Sequence, residues 1–203
     1  MKLDWYFLLP AIALLLTPVG FFHGSKVRYR PILRDWRDHW RQIFALGLHA
    51  VDFLRAILGG WFLMLAFKPA FVSSLPEWSA PAIQSAVVIS GVLLQMLICK
   101  EPKGLNAPFA FLCGLMFGLY SPAVAGYPVL FAVVLACGAR MPMAFFPVLA
   151  VCLELFGFLF GEKKLPPSLI FGAVAVLLPW LASLMFTRPL MVTYRAKRPT
   201  AAR

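Results

Sequence analysis

The sequence predicts an all-α, polytopic transmembrane helical bundle, and three observations predict it. Apolar runs of bilayer length recur from Trp5 to Phe186. Hydrophobic residues make up 62% of the chain and charged ones 13%, against about 45–50% and about 25% in soluble domains. Lysines and arginines cluster in alternate loops, six of them between Lys26 and Arg41. A chain of 203 residues, cut into spans of about 20 residues, holds six or seven helices and no separate soluble domain. Residues 1–203 are therefore read as one integral membrane domain.

The apolar runs place spans at about 5–22, 43–67, 81–99, 107–122, 126–138, 142–161 and 168–186. With the first loop inside, the inner segments hold Lys26, Arg28, Arg30, Arg34, Arg37, Arg41, Lys100, Lys103, Arg140, Arg188, Arg195, Lys197, Arg198 and Arg203. The outer segments hold only Lys2, Lys68, Lys163 and Lys164. This excess sets the N-terminus outside and the C-terminus inside. It also explains the net charge of +11 by attraction to anionic lipid headgroups rather than to nucleic acid. The absence of a long soluble domain or a glycosylation-rich loop points to a prokaryotic inner (plasma) membrane.

Taken in order, the first span is expected to be an uncleaved anchor, since no A-x-A-like site follows it and the strongest charge cluster lies after it. The following loop reads as an amphipathic interfacial helix over about 31–42. Pro31 suits a first turn, and Leu33, Trp36 and Trp40 recur at helical spacing opposite Arg34, Arg37 and Arg41. Arg34, Trp36, Arg37, Trp40 and Arg41 are the expected headgroup contacts.

The second span carries His49, Asp52 and Arg55 near the middle of an apolar helix. On a wheel of about 100° per residue, Gln42, Ala45, His49, Asp52, Ala56, Gly59 and Gly60 share one face, with Arg55 at its edge. Phe44, Val51, Leu54, Leu58 and Phe62 occupy the other, which is expected to meet lipid. An Asp or Arg at a helix centre costs about 2.5–3.5 kcal/mol, so the two need partners, and their i, i+3 spacing lets them meet. Glu154 in the sixth span lies at a matching depth, which predicts an Asp52–Arg55–Glu154 cluster. Gln84 and Gln95 of the third span are candidate lining. Two roles are open for this cluster: pinning helices together, or a proton relay or anion site.

The run from 107 to 138 admits two topologies. Ser121–Pro122 and Gly126–Pro128 interrupt it, so it makes two crossings or one re-entrant pair; seven spans are preferred and six are the alternative. Gly114-x-x-x-Gly118 and Gly157-x-x-x-Gly161 allow close helix approach, within the chain, with a partner protein or in a homo-oligomer. Cys99, Cys113, Cys137 and Cys152 lack C-x-x-C spacing, and the scattered histidines do not form a haem pair. No cofactor or metal is expected.

Familiar membrane catalysts do not fit. The last span has no Lys for retinal, Ser90–Gly91 lacks the first glycine of G-x-S-G, H-E-x-x-H is absent and Glu154 stands without a second glutamate. Three classes remain: a small transporter or permease-like protein, a non-catalytic membrane subunit or scaffold of a larger complex, and a membrane-embedded enzyme acting on lipid-linked substrates. The balance leans away from an enzyme.

Overall fold

The computed structural model describes residues 2–18, 27–31, 47–68, 79–99, 104–160 and 167–195. Among them lie seven α-helices: α1 (Trp5–Leu16), α2 (Gly47–Leu65), α3 (Ser79–Leu97), α4 (Phe109–Leu119), α5 (Pro122–Gly138), α6 (Phe145–Phe160) and α7 (Pro167–Met185). A 3-10 turn, Pro142–Ala144, leads into α6. By length and apolar character, four stretches can cross a membrane: Gly47–Leu65, Ser79–Leu97, Pro142–Phe160 and Ser168–Met185. The other three helices are apolar but shorter. The composition and these four helices fit a membrane protein.

The helices are not the whole fold. Two small sheets, absent from the all-α expectation, tie the ends of the bundle. β1 (Lys2–Leu3) pairs antiparallel with β3 (Phe67–Lys68) at one end. At the other, the order is β2–β5–β4, with β5 (Leu190–Arg195) antiparallel to β2 (Val27–Pro31) and parallel to β4 (Leu105–Asn106). Strands of two to six residues have too few alternating positions to show in a hydropathy pattern. Pro31, expected in a first helical turn, instead ends β2. The rest of the expected surface helix, including Arg34, Trp36, Arg37, Trp40 and Arg41, lies outside the described residues.

The helix starts and stops follow local chemistry. Asp4 caps α1 by accepting from the Tyr6 backbone N–H at 3.1 Å. α1 was expected to run to residue 22, yet its last helical residue is Leu16. Thr17 bonds back to the Ala13 carbonyl through both its N–H, at 3.1 Å, and its hydroxyl, at 2.6 Å, and Pro18 has no N–H for the Leu14 carbonyl. The interruption near 121 also falls earlier than expected. Pro122 occupies the first turn of α5 with Ser121 before it, a position where proline loses no hydrogen bond. Pro128, expected to break the run, is accommodated inside α5.

Packing places α4 centrally. Its most extensive neighbour is α2, which also packs against α1; beyond α1 come α3 and α7, and then α6 and α5. α4 and α2 run in parallel: Gly114 faces Phe53 and Ala56, and Gly118 faces Ile57, Gly60 and Trp61. The largest fully buried side chains, including Phe111, Leu112, Leu115 and Met116 of α4 with Phe146, Leu149 and Leu153 of α6, form the core. Outward, Val51, Leu54 and Leu58 are about half exposed, as expected for the lipid face of α2. Phe62, assigned to that face, is instead partly buried and packs against Phe7 of α1.

Candidate functional site: a polar centre between α1, α2 and the three-stranded sheet

Arg55 occupies the middle of α2, roughly 12 Å from that helix's first residue at about 1.5 Å per residue. Its guanidinium is shared between two helices. Nη2 donates to Asp52 Oδ1 at 2.6 Å, one turn away on α2. Nη1 donates at 2.6 Å to the Leu14 carbonyl, the one that Pro18 cannot serve. The guanidinium carbon lies 5.4 Å from the centre of the Phe111 ring on α4, a cation–π distance. α1 therefore ends against a fixed cation beside the middle of α2, where its last carbonyls carry partial negative charge.

One turn from Asp52, His49 Nε2 lies 3.2 Å from the Thr193 carbonyl and 3.3 Å from the Thr193 hydroxyl on β5. His49, Asp52, Gln95, Asn106 and Thr193 line a cavity with Leu48 and the segment Ala107–Ala110. Its volume is about 20 Å³, room for about one water molecule. Asn106 Nδ2 donates to the Gln95 carbonyl at 3.2 Å, holding β4 against the end of α3. Gln95 is only 3% exposed, and its amide nitrogen has no hydrogen-bond partner.

Of the inner face expected for α2, Asp52, Ala56, Gly59 and Gly60 are buried, and Asp52 and Arg55 meet; Gln42 and Ala45, and Phe44 of the opposite face, lie outside the described residues. The expected place of Glu154 is corrected. Asp52 is ion-paired with Arg55 on its own helix, while the neighbour of Glu154 is Tyr120, at the end of α4. Depth along a helix sets a height but not a direction around the bundle, and α6 packs on α5 and α7 rather than on α2. Gln95 lines the cavity as expected, but Gln84 does not. It lies eleven residues earlier on α3, with its amide 3.8 Å from the Met64 sulfur. The glycine pair of α4 is taken up inside the chain, against α2.

Sequence reasoning missed Leu14, Phe111, Asn106 and Thr193. Only the first left a signal, in the proline four residues after it.

Beside Glu154, the Tyr120 hydroxyl donates to the Ser168 carbonyl at 2.8 Å and ties α4 to the first turn of α7. Tyr120→Phe is expected to destabilise the protein by about 1 kcal/mol, the net worth of one hydrogen bond. Thermal unfolding in detergent should place it below Glu154→Gln, which removes no such bond.

No protein-family model, curated protein or solved structure matches this chain.

Proposed function

We propose that this chain is a small permease-like membrane protein with seven crossings, the N-terminus outside and the three-stranded sheet on the inner face. The observation that carries the reading is the end of α1 on Arg55, beside Asp52 and a polar cavity. A helix that stops within the bundle, with its carbonyl end on a paired charge, is the kind of irregularity transporters use to build a substrate pathway. Ionisable side chains inside a span are a recurring mark of such pathways. β2, β4 and β5 come from three segments that the charge distribution assigns to the inside, and their pairing in one sheet agrees with that orientation.

In this reading the membrane is a prokaryotic inner membrane. Arg34, Trp36, Arg37, Trp40 and Arg41, between β2 and α2, contact its anionic headgroups. The test is reconstitution on a solid-supported membrane and presentation of amino acids, small carboxylates, phosphate and sugars. At least one should evoke a current that Arg55→Lys loses while the variant still folds. Silence across the panel, together with a stoichiometric protein co-purifying in mild detergent, would replace the permease by a non-catalytic subunit.

A further inference from the structure

We propose that Asp52 is a proton-binding group, loaded from the sheet end of the bundle through one water in the cavity, with His49 and Thr193 as its gate. This deepens the permease reading and rests on it, because it names the proton as the ion that drives transport.

The cavity's own hydrogen-bonding pattern selects its occupant. The Gln95 amide is buried and lacks an acceptor, a loss of about 1–3 kcal/mol if nothing fills it. Asp52 gives one oxygen to Arg55 and also lines the cavity, so it has acceptor capacity to spare. A species that accepts from Gln95 and donates to Asp52 would meet both needs. Water does both. A metal cation cannot accept, and a halide cannot donate. A volume of about 20 Å³ fits one such molecule.

The charges around Asp52 give its proton somewhere to leave its mark. The ionisable groups acting on it are Arg55 and His49, both on α2. Of the neighbouring elements, α3 carries no ionisable side chain, α4 carries Cys113 and α1 carries Tyr6, while β5 carries Tyr194 and Arg195 beyond Thr193. A proton from the inner solution passes along the water to the Asp52 carboxylate and forms a carboxylic acid. The Asp52–Arg55 pair then changes from neutral to a net charge of +1. Arg55 keeps the Leu14 carbonyl and the Phe111 ring, so the uncovered cation remains held by the end of α1. The step therefore shifts the hold on Arg55 from α2 toward α1.

His49 and Thr193 stand together in the cavity wall, where α2 meets β5. β5 in turn pairs with β2, the strand that follows α1 in the chain. The helix end that feels Arg55 and the strand that lines the cavity thus belong to one connected set.

Infrared difference spectroscopy of the protein in lipid, recorded as pH is lowered, tests this without any transported solute. A protonated-carboxyl band should appear in the wild type, shift when aspartate carboxyls are isotope-labelled, survive Glu154→Gln and vanish in Asp52→Asn. The isotope shift identifies the band even if Asp52→Asn does not fold. In deuterium oxide the band should exchange several-fold faster in His49→Ala than in the wild type. A missing band, or one insensitive to labelled aspartate, overturns the proton site; equal exchange rates overturn the gate. A titrating Asp52 in a protein that moves no solute keeps the site and removes the permease. Solute currents without a titrating Asp52 do the reverse.

Discussion

Replacing Arg55 by alanine should be among the most damaging single changes in this protein, lowering its stability by about 3–5 kcal/mol. The reason is that Arg55 has two dependants that do not depend on each other. The Asp52 carboxylate would lose its counter-charge in a buried place, and the Leu14 carbonyl would lose its donor at the end of α1. Asp52→Asn is a much smaller insult. An amide oxygen can still accept from Nη2, and Leu14 keeps Nη1, so the expected loss is about 1–2 kcal/mol, that of a weakened charge-assisted bond. Arg55→Lys should fall between them, because one ammonium group cannot reproduce a fork aimed at two acceptors. Thermal unfolding in mild detergent, followed by circular dichroism, ranks the three. Equal losses for Arg55→Ala and Asp52→Asn would show that the hold on α1 contributes nothing.

Gly114→Val should be of comparable severity, by crowding instead of by unpairing. A Cβ at Gly114 would run into the Phe53 carbonyl, and one at Gly118 into the Ile57 carbonyl and the Gly60 Cα. These obstacles are backbone atoms of α2, which no rotamer change can move. Overpacking of a tight interface costs about 1–3 kcal/mol even where side chains yield, so Gly114→Val should exceed that range. It should also separate α4 from α2 and carry the Phe111 ring away from Arg55. Gly138→Ala is the internal control: nothing lies within 4 Å of its Cβ, and the change should be within about 0.5 kcal/mol of neutral. A well-folded Gly114→Val protein with an unshifted melting temperature would contradict the parallel α2–α4 contact.

What could be read from the sequence, and what could not, divides by range. Apolar length placed the seven described helices with errors mostly of a few residues, because apolar character is a property of a continuous segment. The face of α2 was legible for a related reason: side chains at three- and four-residue spacing must meet, so Asp52 found Arg55. Glu154 was misplaced because its link to Arg55 depended on which helix stands beside which, and hydropathy carries no such information. Gln84 and Gln95 share a face of α3, yet they lie at opposite ends of it. A face alone could not tell which of them reached the polar centre. Thr193 was out of reach altogether, since its meeting with His49 joins residues 144 apart in the chain, and Asn106 gave no sign because its strand, Leu105–Asn106, is too short to show a pattern. Leu14 was readable in principle. A proline four residues beyond a carbonyl near a helix end announces an acceptor in want of a donor.

The order of strands in the three-stranded sheet has a consequence for how the protein is made. β5 lies between β2 and β4 and, among the described residues, is the only strand that pairs with either. It is also the last of the described elements to leave the ribosome. While the helices are being inserted, β2 and β4 therefore wait without a partner, and His49 waits without Thr193. Completion of the cavity wall is deferred until translation has delivered β5, so a chain stalled before Leu190 would have a polar centre without Thr193 beside His49.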